Sequence, residues 1–293
     1  MSWVNSIVHG ILLGGVYALL ATGLSLMFGV MRIINLAHGS IALVGSYMAY
    51  LLVQHTGMSS YLTLVVILPG ALLVGYVLQR TLLERSLRAG PLVPLLTTFG
   101  LLIVIANLLQ RFFSPDVHSL DPGWLGSTSW SVTSSLSISG FELLVFGVTV
   151  FVLGGLALFL RHTQMGRELR ATAEDADTAE LVGIDSRAVY ARATAIAVAT
   201  AALAGVLFAM RSSFGPSSGP TQLIYAFEAV VIGGLGSLWG TLAGGVVLGV
   251  AQTIGAQVDP QYFALFGHLV FLAVLVVRAL VETGGLRFAR SFA

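Results

Sequence analysis

The sequence predicts an all-α polytopic membrane protein of about eight or nine transmembrane segments, and its composition and hydropathy both support this prediction. Apolar residues make up 56% of the 293 residues and charged residues only 9%, whereas about 25% of the residues in ordinary soluble domains are charged. Stretches of roughly 20 apolar residues, the length that crosses a hydrocarbon core of about 30 Å, recur along the whole chain. No soluble domain separates them, so we predict a single transmembrane domain over residues 1–293.

Hydropathy divides the chain into nine apolar segments. In order, they are 5–28, 38–53, 61–79, 95–112, 141–160, 190–210, 222–236, 240–256 and 262–280. Segments 38–53, 222–236 and 240–256 are shorter than a full span, so we expect some of them to be broken or re-entrant helices supported by their neighbours. The first segment has no basic flank and no cleavage site, which predicts a retained span rather than a signal peptide.

Glycines spaced four residues apart predict close helix packing. Gly10 with Gly14, and Gly245 with Gly249, place small residues on one face of a helix. Two helices can approach closely at such a face. The pattern supports a compact bundle and does not point to a particular function.

Arginine supplies all 14 basic residues, and its distribution predicts the orientation. Twelve arginines share one side under the nine-segment count: Arg32, Arg80, Arg85, Arg88, Arg161, Arg167, Arg170, Arg187, Arg192, Arg278, Arg287 and Arg290. Only Arg111 and Arg211 fall on the other side. Because short cytoplasmic loops retain positive charge, we predict an external N-terminus and a cytoplasmic C-terminus. The external loop then covers about 113–139, where Trp124 and Trp130 suit a membrane interface, and the main cytoplasmic loop covers about 162–189.

The residue types that are missing exclude several kinds of chemistry. Without cysteine the chain has no disulfide, no thiolate metal site and no cysteine nucleophile, and without lysine it lacks the phosphate loop that binds ATP. The string Gly215–Gly219 matches a serine-hydrolase elbow but lies in a loop between apolar helices, outside the strand-turn-helix context that the elbow needs. The histidines show no zinc-binding spacing. We therefore predict no catalytic residue, no metal and no cofactor in this chain.

Three polar residues interrupt apolar segments. Asn35 and His38 lie between the first two segments, and Glu228 lies six residues inside segment 222–236. Ionisable groups at membrane depth cost a few kcal/mol and usually face a cavity or a partner. The alternatives are a cytoplasmic turn with a helix cap for Asn35 and His38, and contact with interfacial water for Glu228, about 9 Å down its helix.

The cytoplasmic stretch 165–185 combines alanines with alternating charges. This pattern predicts a short amphipathic helix, and Gly183 is a plausible residue for its C-terminal stop. A solvated connector is the alternative. A loop of more than about 25 residues among such short connections suggests that it does more than connect.

Three blocks of the chain resemble the permease subunits of branched-chain amino acid ABC importers, the LivH type. The first block contains Gly15-Val16-Tyr17-Ala18-Leu19, Gly29-Val30-Met31 and Ile34-Asn35-Leu36-Ala37-His38-Gly39. The second runs from Arg170 to Ile184. The third contains Ala226-Phe227, the run Ile232-Gly233-Gly234-Leu235-Gly236-Ser237-Leu238-Trp239-Gly240, and Gly244-Gly245. With the order of the segments, the likeness covers nearly the whole chain.

The resemblance implies the ABC importer permease fold and a membrane-spanning subunit that imports branched-chain or related small amino acids. In that family the loop that matches 170–184 docks on the ATP-binding subunits. The coupling candidates carried over to this chain are Ala171, Ala173, Asp175, Ala179, Gly183 and Ile184. A charged amino acid backbone needs polar partners along its route. The side chains that can supply them are Asn35, His38, Asn107 and Glu228.

The resemblance also implies partners, a location and a mechanism. The partners are a second permease subunit (homologous, or a copy of this chain), two ATP-binding subunits and an extracytoplasmic solute-binding protein, with no nucleic acid. The expected location is the bacterial inner membrane, where the chain crosses the bilayer several times. ATP hydrolysis by the separate subunits would drive alternating access, so this chain would not itself be an enzyme.

Two alternatives and one departure from the family stay open. Close relatives of this family resemble permeases for urea, amides and other small solutes, so the solute rests on the resemblance alone. An ion-coupled secondary transporter would need no ATP-binding subunit. Family members often end in Arg-Pro-x-Gly-Leu, whereas here Ala279 follows Arg278 and Gly285-Leu286 come later.

Overall fold

The computed structural model describes residues 3–90, 92–133 and 136–290, with side chains in these ranges except at 131–133, 136 and 282–290. The helices are α1 (Trp3–Met31), α2 (His38–Thr56), α3 (Thr63–Leu78), α4 (Glu84–Arg88), α5 (Val93–Phe113), α6 (Trp124–Ser127), α7 (Gly140–His162), α8 (Gln164–Glu174), α9 (Ala176–Leu181), α10 (Ser186–Arg211), α11 (Gly219–Gly233), α12 (Leu238–Val258) and α13 (Phe263–Arg290). A π-helical turn, Gln79–Leu83, joins α3 to α4, and a 3-10 turn, Pro260–Tyr262, precedes α13. Gly285 and Leu286 of the tail lie outside the described side chains.

All nine apolar segments are helical, which confirms the all-α polytopic fold class. Within the described residues, seven helical stretches are long and apolar enough to cross a membrane. They are Trp3–Met31, Thr63–Arg88, Val93–Phe113, Gly140–His162, Ser186–Arg211, Leu238–Val258 and Pro260–Val281. Helices α2 and α11 do not meet that criterion, in line with the short segments 38–53 and 222–236. Segment 240–256 is instead part of a full-length helix, α12. Ser237 caps the start of this helix by accepting from the Gly240 N–H at 3.1 Å.

Helices α1 and α10 form the centre of the bundle. Most residues of both helices are buried, whereas α3, α5, α7 and α13 turn large apolar side chains outward. Many residues of α10 are alanine, and small side chains let neighbouring helices approach it closely. The outward apolar faces are those expected of helices that contact lipid.

A contact between glycines joins α1 to α12. Gly245 packs against Gly14 and Ala18, and Gly249 packs against Gly10 and Gly14. A Cβ atom at Gly245 would lie 2.6 Å from the Gly14 carbonyl oxygen, which is closer than side-chain carbons approach backbone. The prediction of close packing at these glycines is confirmed, and the order of the contacts makes the two helices antiparallel.

Helix α2 begins inside the bundle. Helix α1 ends at Met31, after which Arg32 takes a left-handed conformation with φ of 54°. The irregular residues 32–37 then lead to His38, the first residue of α2. Its Nε2 atom donates to the Leu20 carbonyl oxygen at 2.8 Å, and Leu20 lies near the middle of α1. The polar residues between segments one and two therefore form a break within the bundle.

Helix α11 begins beside the first turn of α2. After the irregular residues 212–218, Gly219 packs so closely on Ser40 that a Cβ atom there would lie 2.7 Å from the Ser40 Oγ. At its other end, Gly233 packs on Gly240 at the start of α12. The two short helices, α2 and α11, therefore begin next to each other and run to opposite ends of the bundle. They stand beside the seven membrane-length helices of the described residues, whereas the sequence predicts eight or nine transmembrane segments.

The two ends of the bundle differ in composition. At one end, the close of α1 meets the starts of α10 and α12, and α4, α8 and α9 cover it; we call this the arginine-rich end because Arg80, Arg85 and Arg88 lie there. At the other, the starts of α1 and α7 meet the close of α10, where Glu142 contacts both His9 and Arg211 at 3.0 Å. We call the latter the hairpin end.

The predicted external loop, about 113–139, is ordered into short elements at the hairpin end. It contains α6 and an antiparallel hairpin of β1 (Ser129–Thr133) and β2 (Leu136–Ser139). His118 pairs with Phe214 through two backbone hydrogen bonds, of 2.8 and 2.9 Å, and so ties this loop to the residues before α11. The sequence pattern of Ser, Thr and Trp in this loop gives no clear period that predicts the short strands.

Candidate functional site

The stretch predicted as one amphipathic helix is two helices, α8 and α9, separated at Asp175. Thr163 caps α8 by accepting from the Gly166 N–H at 3.0 Å. The Asp175 carboxylate caps α9, accepting from the Asp177 and Thr178 N–H groups at 3.0 and 3.1 Å. The Thr178 hydroxyl also donates to this carboxylate. That bond first, and then the bonds from the N–H groups, lower the pKa of Asp175 below its usual value. A capping carboxylate requires extended backbone, so it breaks the helix that the alanines alone would favour.

Gly183 ends α9 in the way that the sequence predicts. Its φ is 87°, a left-handed conformation that glycine adopts without strain. The Gly183 N–H donates to the Glu180 carbonyl at 3.1 Å, and the Ile184 N–H donates to the Ala179 carbonyl at 3.1 Å. This pair of bonds defines a Schellman motif. The turn fixes the direction in which the chain enters α10.

The inner face of this segment is packed onto the bundle. Leu169 of α8 is buried with Met27 of α1 and Val189 of α10, in a cluster we call the second core. Glu168 and Arg192 form an ion pair at 3.0 Å that also joins α8 to α10. The segment is therefore attached to the two central helices rather than suspended in solvent.

The outer face of the segment presents two large apolar side chains. Leu181 is 87% exposed and Val182 is 74% exposed, in a segment otherwise dominated by alanine and charge. Of the predicted coupling residues, Ala171, Asp175 and Gly183 are exposed, and Ala173 and Ile184 are half-buried. Ala179 is buried within the chain, so its expected close contact with a partner is not available in this conformation.

Sequence reasoning did not single out Leu181 and Val182. The signal was present, because they are adjacent large apolar residues directly before the glycine that ends a polar helix. Apolar residues in that place have no core to enter. Exposed apolar patches of this kind mark interaction sites.

The predicted route residues fall in three places. Asn35 and His38 lie together at the break before α2, where both are fully buried; the Asn35 Oδ1 accepts from the Ala37 N–H at 3.0 Å. This bond forms an Asx turn inside the bundle, whereas the alternative was a cytoplasmic turn with a helix cap; the N-cap of α2 has no side-chain hydrogen bond. Asn107 lies apart from them on the exposed face of α5, where its Nδ2 donates to the Ile103 carbonyl at 2.8 Å.

Glu228 belongs to a buried polar cluster of α1, α11, α12 and α13. It is 3% exposed and pairs with the Nδ1 of His268, which stacks on the Tyr225 ring with centroids 6.5 Å apart. The Tyr225 ring also contacts Tyr17, whose hydroxyl donates to the Gln252 Oε1 at 2.5 Å. Such burial contradicts the alternative in which Glu228 contacts interfacial water. His268, which sequence reasoning missed, is its partner.

A bundle of seven membrane-length helices within the described residues, with two shorter helices inside it, is the architecture of a multi-pass membrane protein. The profile described as "Branched-chain amino acid transport system / permease component" matches residues 6–277. The chain belongs to this family of branched-chain amino acid transport permeases.

Individual relatives agree with that assignment. The high-affinity branched-chain amino acid transport system permease protein BraD of Pseudomonas aeruginosa is 34% identical, over 94% of this chain and 94% of its own length. The corresponding protein LivH of Escherichia coli strain K12 is 30% identical, over 94% and 93%. The fructose import permease protein FrcC of Rhizobium meliloti is 28% identical, over 83% and 69%. These relatives are transport permeases rather than enzymes, and no solved structure matches the chain.

Proposed function

We propose that this chain is the membrane-spanning permease subunit of an ABC importer for branched-chain amino acids, with its arginine-rich end in the cytoplasm. Two ATP-binding subunits would dock on α8 and α9 and supply the ATP hydrolysis. An extracytoplasmic solute-binding protein would deliver the amino acid at the hairpin end. A second permease, either a homologue or another copy of this chain, would complete the route. The bacterial inner membrane is the location that this assembly requires.

One observation carries the docking proposal, namely the two-sided construction of the segment 164–184. Its inner face is fixed to α1 and α10 through Leu169 and the Glu168–Arg192 pair. Its outer tip, Leu181 and Val182, has no apolar partner in the described chain. A segment that is both attached to the central helices and apolar at its tip suits a contact that passes force from a moving partner into the bundle.

Twelve of the fourteen arginines support the orientation, since short loops rich in arginine stay in the cytoplasm. The ATP-binding subunits are cytoplasmic in this proposal, so the segment and the arginines should share one side. Both lie at the same end of the bundle, which is what the proposal needs.

The test replaces Leu181 and Val182 together with serine in the assembled importer. Burying one such side chain stabilises a contact by about 1.5–3 kcal/mol, so the double change should weaken attachment of the ATP-binding subunits about 100-fold or more. We expect loss of their copurification and of ATP-driven uptake, with normal membrane insertion. The control for copurification of the ATP-binding subunits is Val117→Ser, another exposed valine at the opposite end of the bundle. Normal uptake by the double variant would refute docking at this tip.

A permease for another small solute is the second candidate. The likeness to a fructose import permease shows that related chains carry a different solute. Urea and amides belong to the same class of small uncharged solutes. Uptake of labelled leucine, with unlabelled leucine, urea and fructose as competitors, separates these cases. An ion-coupled carrier, by contrast, would take up leucine in cells that lack the ATP-binding subunits.

A further inference from the structure

His268 is a titratable side chain on the outer face of a membrane helix. It lies eight residues into the span Pro260–Val281, so it is about 12 Å from the start of that span at 1.5 Å per residue. Its side chain is 48% exposed. An ionisable group at this depth costs a few kcal/mol when it faces lipid, and such groups usually face a partner or a water-filled route. This face of α13 is therefore poorly suited to lipid.

The imidazole of His268 covers a carboxylate with spare capacity for hydrogen bonds. The Glu228 Oε1 contacts His268, whereas the buried Oε2 has no hydrogen-bond partner among the described residues. An ionised carboxylate accepts about four hydrogen bonds, so one contact leaves it far from satisfied. The Gln252 Nε2, in the same polar cluster, is also buried without a partner. Each unpaired buried polar group calls for an explanation such as a bound ion, water or ligand.

Exposed apolar side chains lie near this pair along α13 and α11. Leu265 and Leu272 lie three and four residues on either side of His268, which places all three on one face of α13. Ile224 is exposed one turn before Glu228 on α11. Exposed aliphatic side chains thus lie on the same helices as the buried carboxylate and the imidazole that covers it. A branched-chain amino acid carries both an ammonium group and such a side chain.

We propose that Glu228 binds the α-ammonium group of the transported amino acid, which displaces His268 from the carboxylate, while Leu265, Leu272 and Ile224 contact the aliphatic side chain. His268 occupies the carboxylate when no substrate is present, so the negative charge is never left alone at membrane depth. The ammonium group takes over the same hydrogen bond when substrate arrives. This inference rests on the proposed function, since it names the contacts of that solute along the route.

The test measures binding of labelled leucine to the purified importer, with its ATP-binding subunits present and without ATP. Glu228→Gln keeps the volume and removes the charge, and we expect it to weaken leucine binding about 10- to 100-fold. 4-Methylpentanoate, which is leucine without its ammonium group, should compete equally well in wild type and in this variant. His268→Gln removes the competing imidazole, so leucine binding should stay equal or become tighter. Glu142→Gln, a paired carboxylate at the hairpin end, is the control that should leave binding unchanged.

Three results would overturn the inference. Wild-type leucine affinity in Glu228→Gln would show that the carboxylate does not meet the substrate. Equal losses in Glu228→Gln and His268→Gln, with equal falls in melting temperature, would show that the pair only clamps α13 to α11. No leucine binding by the wild-type complex would remove the site as well. Failure of the proposed function is a separate result, because it would appear as an absence of ATP-binding subunits from the purified wild-type complex.

Discussion

Gly245→Ala tests the close contact between α1 and α12. The added Cβ atom would lie 2.6 Å from the Gly14 carbonyl oxygen and 2.9 Å from the Ala18 nitrogen, whereas ordinary contacts begin at 3.4 Å. Helices α1 and α12 must therefore separate by about 0.8 Å along a backbone-to-backbone contact, which has no flexible side chain to move aside. Overpacking of this kind costs about 1–3 kcal/mol. Alanine also favours helix over glycine by about 1 kcal/mol, which offsets part of that cost.

Gly147→Ala is the matched control, because it adds the same methyl group within α7 with no atom inside 4 Å. Both variants gain the same helix propensity, so the difference between them isolates packing at about 1–3 kcal/mol. That difference corresponds to roughly 2–10 °C in melting temperature for a domain of this size. The assay is the fraction of monodisperse protein after heating in detergent at one fixed rate. Equal melting of the two variants would refute the close approach of α1 and α12.

Three further predictions concern the ends of the bundle. In this cysteine-free chain, Ser127→Cys should react with an impermeant thiol reagent added to intact cells and Glu180→Cys should not; equal labelling would contradict the proposed orientation. Gly183→Val should place about 1–2 kcal/mol of backbone strain at the end of α9 and reduce substrate-stimulated ATPase activity, whereas Gly183→Asn, which tolerates a left-handed conformation, should retain more of that activity. Because folding lowers the pKa of Asp175, its ionised cap stabilises α9 fully at any pH above the ordinary pKa of 3.8. This stabilisation is lost as the pH falls through the lower pKa of the folded chain. Amide exchange across 176–181 should therefore be equally protected at neutral and mildly acidic pH, and Asp175→Ala should remove that protection at both.

Most of the fold follows from hydropathy because the bilayer restricts the choice of structure. Backbone groups in hydrocarbon must be paired within the chain, so each long apolar segment is expected to form a helix. The glycine spacing also predicted close helix packing, and the contact between Gly245 and Gly14 confirms it. Hydropathy carries no information on depth, however. It could not show that His38 begins a helix in the middle of the bundle.

The site was less predictable, because its partners are distant in sequence. Glu228 drew attention as a lone charge in an apolar segment, but its partner His268 lies 40 residues later on another helix. No periodicity links two such residues. Asp175 was read as part of a continuous helix because alanine dominates its neighbourhood, and a single capping carboxylate outweighed that propensity. Asn107 has the polarity expected of a route residue, but the rotation of α5 turns it outward.

The contacts that join α8 and α9 to the bundle indicate which part of the bundle would move if a partner pushed on these two helices. The second core joins α8 to α1 and α10. The same two helices also contact α2: His38 at its start bonds to Leu20 of α1, and the Ser46 hydroxyl within it donates to the Gly205 carbonyl of α10 at 2.7 Å. Closely packed interiors pass displacements along rather than absorbing them. Within this linkage the irregular residues 32–37 connect α1 to α2, so no continuous run of helical hydrogen bonds fixes their conformation. Under the proposed function, we therefore expect a push on α8 and α9 to be relieved at residues 32–37, the irregular link into α2.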